Sequence, residues 1–313
     1  MRNRVAIIDL GTNTFNLLIA VTHKDGSFKK LCKRKISVRL GEGGINKGFI
    51  TEKAFRRGIL TLKRYKKLIK EFKADKVVAF GTSAIRSASN GKEFIAAAKA
   101  ETGINVRAIP GEREAELIYY GVCAAMKMKD SPSLIMDIGG GSTEFIIANN
   151  KRILWKQSFL LGAARMLEKF NPSDPIKKAE MKQIEKYLEK HLQPLFKAMK
   201  SFSATELIGS SGSFDSLAEM IAYRFYNIRR LSGKTACELQ PEDCEKIYKL
   251  ILKSTTAERL KVKGLIKMRV DMIVICAIFV NYVFEKLALK KIHLSRYALK
   301  EGVLAEMIRT SRL

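Results

Sequence analysis

Asp9 and Asp137 each close an apolar run, and each is followed at once by small and hydroxyl residues. The two stretches read Asp9-Leu10-Gly11-Thr12-Asn13-Thr14 and Asp137-Ile138-Gly139-Gly140-Gly141-Ser142-Thr143. They align without a gap, Gly11 on Gly139 and Thr14 on Ser142, and the apolar Leu17-Leu18-Ile19-Ala20 falls on Phe145-Ile146-Ile147-Ala148. Each copy therefore predicts a buried strand, a tight turn and a second strand. A carboxylate at a strand end can hold a hard cation or a water, and a turn without bulk lets backbone N–H groups approach phosphate oxygens. An aspartate after a strand often does no more than cap a turn. Its recurrence with the whole pattern points both copies to phosphate or metal duty, and magnesium is the ion that two carboxylates and a bound phosphate suit.

Other residues add to this chemistry. Glu144 follows the second turn directly, where a strand residue can face a cleft and join a second carboxylate in deprotonating a water. Arg86 follows Gly81-Thr82-Ser83, where a guanidinium can bind phosphate through two parallel hydrogen bonds. It reads as standing at a helix start, where the dipole gives a cation no benefit, and that conflict favours function over a surface role. Glu112, Glu114 and Glu116 follow Pro110-Gly111; taken alone, they are an ordinary acidic first turn. Gly209-Ser210-Ser211-Gly212-Ser213 is a third glycine and serine turn opening a helix.

The elements that must position these groups alternate. A basic strand region spans Leu31 to Leu40 and leads into a Gly41-Glu42-Gly43-Gly44 loop. Thr51 caps a helix whose apolar stripe is Phe55, Ile59, Leu62, Ile69 and Phe72. Strands are predicted at Lys76–Phe80, Asn105–Ile109 and Trp155–Leu161, and helices at Phe94–Ala100 and Glu112–Tyr120. Lys177 to Lys200 reads as one long helical stretch kinked at Pro194. Residues 224–235 read as an exposed basic loop, followed by a core helix, a strand at Lys291–Leu294 and a helix from Leu299 to Ile308. This alternation is α/β.

The 313 residues carry a net charge of +27, which favours a polyanionic partner: nucleic acid, an anionic membrane or a chain of phosphates. No zinc finger, aromatic RNA-binding signature or helix-turn-helix pattern supports specific nucleic-acid recognition. The five cysteines show no CxxC spacing and predict reduced thiols, not a disulfide frame or zinc site. The three histidines lie far apart, so a His-rich metal cluster is not suggested. The longest strongly apolar run, Met272 to Val280, is too short for a bilayer. With no apolar leader at the start, a cytoplasmic protein is expected.

Taken in order, Asp9 to Thr14, Gly81 to Arg86, Pro110 to Leu117 and Asp137 to Glu144 resemble the motifs of the exopolyphosphatase and guanosine pentaphosphate phosphohydrolase family. Gly209–Ser213 and Leu299-Lys300-Glu301-Gly302-Val303-Leu304 resemble its later motifs, so the likeness covers the chain. It implies two ribonuclease H-like (actin-like) α/β domains, residues 1–124 with 297–313 and residues 125–296, with the active site in the cleft between them. It further implies magnesium-dependent hydrolysis of a terminal phosphoanhydride, with Glu114 as base for the attacking water and Glu144 assisting through metal or water. Asp9, Asp137 and Glu144 would serve the metal. Gly11, Thr12, Asn13, Thr14, Ser83, Arg86, Gly140, Gly141, Ser142, Thr143, Ser211, Gly212 and Ser213 would hold phosphates. The family usually has threonine at Ser213 and arginine at Lys300, and a glycine-containing run where Ile273 to Ala277 stands. The expectation is an exopolyphosphatase acting on inorganic polyphosphate, with guanosine pentaphosphate as the alternative substrate and a homodimer admitted by the likeness. A kinase on the same fold and a non-catalytic polyanion binder are the rival classes; intact Asp9, Glu114, Asp137 and Glu144 weigh against the binder.

Overall fold

The structure, a computed structural model, describes residues 3–23 and 27–310; the outermost residues of the expected domain ranges lie outside it. The first apolar run forms β1 (Asn3–Leu10), which pairs antiparallel with β2 (Thr14–Thr22), and β2 pairs with β3 (Phe28–Ser37). Thr51 accepts a hydrogen bond from Ala54 N and caps α1 (Glu52–Glu71). β4 (Lys76–Gly81) lies parallel to β1, and after α2 (Ser83–Ser87) and α3 (Gly91–Thr102), β5 (Val106–Ala108) lies parallel to β4. The sheet order is β3-β2-β1-β4-β5.

After α4 (Gly111–Ala125) the plan repeats. β6 (Ser133–Ile138), β7 (Thr143–Ala148) and β8 (Ile153–Phe159) form an antiparallel meander. α5 (Ala163–Phe170), α6 (Lys178–His191) and α7 (Gln193–Phe202) precede β9 (Glu206–Ser210), which lies parallel to β6. There follow α8 (Ser211–Phe225), β10 (Ala236–Leu239), α9 (Pro241–Lys253), α10 (Thr256–Arg259), α11 (Ile273–Lys286), β11 (Lys291–Ser295) and α12 (Leu299–Thr310). The second sheet runs β10-β11-β9-β6-β7-β8. Both sheets thus have a three-strand meander continued by parallel strands, the ribonuclease H-like order of actin-like proteins, with β10 added antiparallel at the edge of the second.

Period-two alternation divides the core into layers. Ala6, Ile8 and Leu10 face α1 and α3 through Leu62, Tyr65 and Phe94. Their alternates Val5 and Ile7 face the other way and pack with Ile118 and Val122 of α4, Val303 and Leu304 of α12, and Ile135, Ile146 and Ile208 of the second sheet. α4 and α12 are therefore a shared layer between the two sheets. Their backbones touch: a Cβ on Gly302 would run into the Leu117 carbonyl, and one on Gly121 into that of Ala298. Each large apolar side chain buried in this layer contributes about 1.5–3 kcal/mol. The remaining helices cover the outer face of the second sheet around Phe145, Phe214 and Phe279.

Two local expectations need correction. The stretch read as one kinked helix is two, separated at Leu192, with Pro194 in the first turn of α7. A missing N–H costs nothing there, because first-turn amides have no helical partner. The segment read as a loop contains one 3-10 turn, Ile228–Leu231, pinned by buried Leu231. Among the described residues no helix is long and apolar enough to cross a membrane.

Candidate active site

The duplicated turns are alike in detail. Gly11 N donates to Thr14 O at 3.1 Å and Gly139 N to Ser142 O at 3.0 Å. A Cβ at either glycine would lie within 2.9 Å of that same carbonyl, so the geometry excludes any larger residue. The strand registers place Asn16 opposite Asp9 and Glu144 opposite Asp137. Asn16 Nδ2 donates to Asp9 Oδ2 at 3.0 Å. The position that holds a neutral amide in the first copy thus holds an acid in the second, and the chemistry of the two halves parts there.

The turns face one another. A Cβ on Gly140 would lie 3.1 Å from Asn13 N, and one on Gly141 would lie 2.5 Å from Thr12 Oγ1 and 2.6 Å from Ser83 Oγ. Thr12 Oγ1 and Ser83 Oγ are buried without a hydrogen-bond partner. A buried hydroxyl left unpaired is destabilising by about 1–3 kcal/mol, so this pair is built for an acceptor that arrives from outside. In the first turn, Gly41 N donates to Thr12 O at 3.0 Å, and Val38 N and Arg39 N to Asn13 O at 3.0 and 2.8 Å. Trans peptide planarity then turns the N–H groups of Asn13 and Thr14 away from those donors.

Glu114 stands in the first turn of α4, in the shared layer and 8% exposed. Arg86 Nη1 donates to its Oε2 at 3.0 Å and to Ile109 O at 2.8 Å. Arg86 is therefore not at a helix start but in the last turn of short α2, half-buried and held against the acid that the family likeness marks as base. Glu144 is 1% exposed, and Ser158 Oγ donates to its Oε1 at 2.6 Å. Burial, then the Glu144 charge, raises Glu114 well above the usual carboxylate range despite Arg86. Burial, then Asp137, pushes Glu144 up to about 7, against hydrogen bonds from Ser158 and Ser142. Burial also raises Asp9 and Asp137, opposed by Lys300 and Asn16 at Asp9 and first by Ser210, whose hydroxyl donates at 2.6 Å, at Asp137.

A stability prediction follows with a definite sign. A carboxyl whose folded pKa is raised stabilises the protein below its unfolded pKa and loses that contribution as pH rises through the folded value. For Glu144 the window runs from 4.5 to about 7. Glu144→Gln should gain thermal midpoint relative to the parent between about pH 5 and about pH 7 in ligand-free protein. A constant difference across that range, by calorimetry, would refute the buried-acid account.

One cleft of about 350 Å³ is lined by Asp9, Gly11, Thr12, Asn13, Thr14, Ser83, Glu114, Asp137, Gly140, Gly141, Ser142, Ser211, Gly212 and Ser213. Within that set Ser213 differs from expectation: its hydroxyl sits 3.1 Å from Cys276 Sγ, so its side chain is engaged with a core thiol. Thr143 is a correction. It is fully buried and its hydroxyl donates to Leu161 O at 3.0 Å, which makes it a strut under the turn and not a phosphate ligand. Ser211 opens α8 with φ of 65°, a left-handed conformation that a serine adopts only when its surroundings impose it.

Sequence reasoning did not single out four cations of this cleft, Lys33 and Lys35 from β3, Arg269 and Arg296; a fifth, Lys300, it noted only as a departure from the family's arginine. The signal was present for two of them. Lys33 and Lys35 share a strand face by period two, and pairing with β2 puts Lys35 opposite Asn16. Burial, then Arg269, lowers Lys35 to about 8. Burial opposes the charge of Lys300, but Glu301, Asp9, Asp137 and Asp215 outweigh it and hold its pKa high.

Paired acids drawn toward neutrality, set against turns that present hydroxyls and amides to an anion, suit the hydrolysis of phosphoanhydride bonds, and relatives point the same way. Residues 19–311 match the Ppx/GppA phosphatase family, and the chain belongs to that family. It is 30% identical over 310 residues to a guanosine-5'-triphosphate,3'-diphosphate pyrophosphatase of Photobacterium profundum, covering 98% of this chain and 60% of that protein's length. Among solved structures, an exopolyphosphatase from Cytophaga hutchinsonii is 43% identical with a TM-score of 0.93, covering 98% of both chains. The Aquifex aeolicus Ppx/GppA family member is 28% identical with a TM-score of 0.80, covering 99% of both.

Proposed function

We propose that the protein is a cytoplasmic exopolyphosphatase that releases orthophosphate from the end of inorganic polyphosphate. The observation that carries this reading is the lining of the cleft. Lys33, Lys35, Arg269, Arg296 and Lys300 line the same space as the paired turns, and among the described lining residues there is no aromatic ring to stack a purine. A row of cations without a stacking platform fits a run of phosphates. The likeness to the Cytophaga hutchinsonii exopolyphosphatase, which spans both chains, agrees. The alternative, guanosine pentaphosphate, has the name of the Photobacterium profundum relative in its favour, and this chain spans only about 60% of that protein.

In this mechanism the terminal phosphoryl group sits between the turns, where Thr12, Ser83 and the amides of both turns meet its oxygens. Glu114 accepts the proton of the attacking water, and Arg86 fixes the carboxylate that receives it. Glu144, the second raised acid, orients that water. As charge shifts to the leaving phosphate, Lys35 and Lys300 offset it. Among the described residues no three His, Cys, Asp or Glu side chains gather where they could together hold a metal ion. Two desolvated carboxylates, Asp9 and Asp137, beside unpaired hydroxyls are the donor set of an ion that keeps waters and shares phosphate oxygens. Magnesium fits, and Asp9 and Asp137 would hold it. When bound, it supplies charge neutralisation at the phosphate oxygens.

Phosphate release from long-chain polyphosphate, guanosine pentaphosphate and ATP, measured side by side, tests the reading. Preference for polyphosphate supports it, and preference for the guanosine nucleotide overturns it. Lys35 gives a finer check. Because its pKa lies near 8, KM for polyphosphate should climb as pH passes that value. Lys35→Met should raise KM at neutral pH, flatten this climb and weaken the dependence on salt. An unchanged pH and salt profile in the variant would remove Lys35 from the substrate path.

A further inference from the structure

The carbonyls of the triple-glycine turn are all drawn to one element. Ala163 N donates to Gly139 O at 2.9 Å, Ala164 N and Arg165 N to Gly140 O at 2.9 and 3.0 Å, and Arg165 Nε to Gly141 O at 3.0 Å. A trans peptide sets each carbonyl opposite the next N–H. Anchoring these three carbonyls on the start of α5 therefore turns the N–H groups of Gly140, Gly141 and Ser142 away from it. Those amides are the ones the proposed mechanism uses on phosphate. The first turn is held in the same manner by residues 38–41, which follow its own third strand.

Arg165 also joins the two anchoring segments to each other. Its Nη1 donates to Ile45 O at 2.8 Å, Asn46 Nδ2 donates back to Arg165 O at 3.0 Å, and Gly43 N donates to Glu168 Oε2 at 3.0 Å. Nη2 is buried without a partner. The guanidinium holds Gly141 O and Ile45 O through two nitrogens fixed in one plane, an arrangement that the single nitrogen of a lysine ammonium does not reproduce. Ile45 is thus tied, through one guanidinium, to the carbonyl that sets the last amide of the second turn, while Gly43 and Asn46 dock beside it on Glu168 and on the Arg165 carbonyl.

We propose that Arg165 is a positioning residue that couples seating of the Gly43–Asn46 segment on α5 to the orientation of the anion-binding amides of Gly140 to Ser142. With the segment seated, Arg165 is fixed by Ile45 and Asn46 and holds Gly141 O. With the segment released, it loses two of its partners and the turn is free to rotate. The consequence for turnover rests on the hydrolase reading above; the coupling itself does not.

Amide hydrogen exchange on the full chain, with and without orthophosphate as probe, separates the two. In the parent protein orthophosphate should slow exchange in the turn and in Gly43–Asn46 together. In Arg165→Lys it should protect the turn more weakly and leave Gly43–Asn46 unaffected, while KM for polyphosphate rises roughly 10–100-fold. Asn46→Ala, which leaves the guanidinium intact, should uncouple the segments in the same direction. Ethylguanidinium should restore phosphate protection to Arg165→Ala. Joint protection retained in Arg165→Lys overturns the proposal, as does no orthophosphate response in the parent at either segment. Faster exchange throughout β6 with a lowered thermal midpoint assigns Arg165 to fold stability alone and also overturns it. A parent that shows the coupling but hydrolyses no substrate would sink the proposed function and leave the coupling standing.

Discussion

Glu114→Gln is expected to lower kcat for polyphosphate by about 10²–10⁴-fold while leaving affinity nearly unchanged. The substitution keeps the side chain's size and an oxygen for Arg86, whose Nη1 lies 3.0 Å from Glu114 Oε2, so the local packing survives. What it removes is the only step that needs a base: a proton must leave the water as it bonds to phosphorus. Glu144 is the second acid near the site, and Ser158 already engages one of its oxygens. Rapid-quench phosphate release together with polyphosphate binding would measure both quantities. A variant that keeps more than about a tenth of parental kcat would move the base to Glu144 or to solvent. The two acids are coupled through their charges, so the rising limb of the parent's pH profile belongs to the pair and should simplify in either single variant.

Gly141→Ala should be nearly as damaging, for a steric reason. Its methyl would lie 2.5 Å from Thr12 Oγ1 and 2.6 Å from Ser83 Oγ. These are the two unpaired hydroxyls, and they sit on rigid elements, the β1–β2 turn and the start of α2. The methyl can be accepted only by spreading the two turns. A displacement of about 1 Å between phosphate donors and the attacking water costs on the order of 10²-fold in kcat/KM. Steady-state kinetics would show the loss in both kcat and KM, with little change in thermal midpoint because the strain is relieved outward into the cleft. Parental kinetics in this variant would mean that the turns do not close on substrate as they stand here.

The parts of this site that were legible in the sequence are those set by local backbone geometry. Gly11 and Gly139 have to be glycine because of a carbonyl three residues on, and that constraint writes itself into both copies. Hairpin pairing then places Glu144 opposite Asp137 by counting. The rest depends on partners distant in the chain. Arg86 meets Glu114 only after β4 and α4 are brought together, and the dipole argument misplaced it because α2 is too short for its start and end to be told apart in sequence. Lys33 and Lys35 lay within a stretch read only as a basic strand region; their convergence with Arg269, Arg296 and Lys300 is a tertiary fact. Thr143 belonged to the motif by position, yet a bond to Leu161, made across the strand end, assigns its hydroxyl elsewhere. Pro194 signalled an interruption correctly but not its kind, since proline suits a helix start as well as it breaks a helix middle.

The layer shared by the two sheets sets a timetable. α4 carries Glu114, and α12 lies beside it in that layer, backbone against backbone at Gly302. A growing chain emerges in order, so α4 and both phosphate turns are made long before Leu299–Thr310 exists to cover that helix. Contacts between segments so far apart close late, after the loop between them has been ordered. Any hydrolytic competence that depends on Glu114 accordingly waits for α12, long after the phosphate turns have been made. A nascent chain therefore carries its basic strand and both glycine turns well before that helix can fix Glu114 between the sheets.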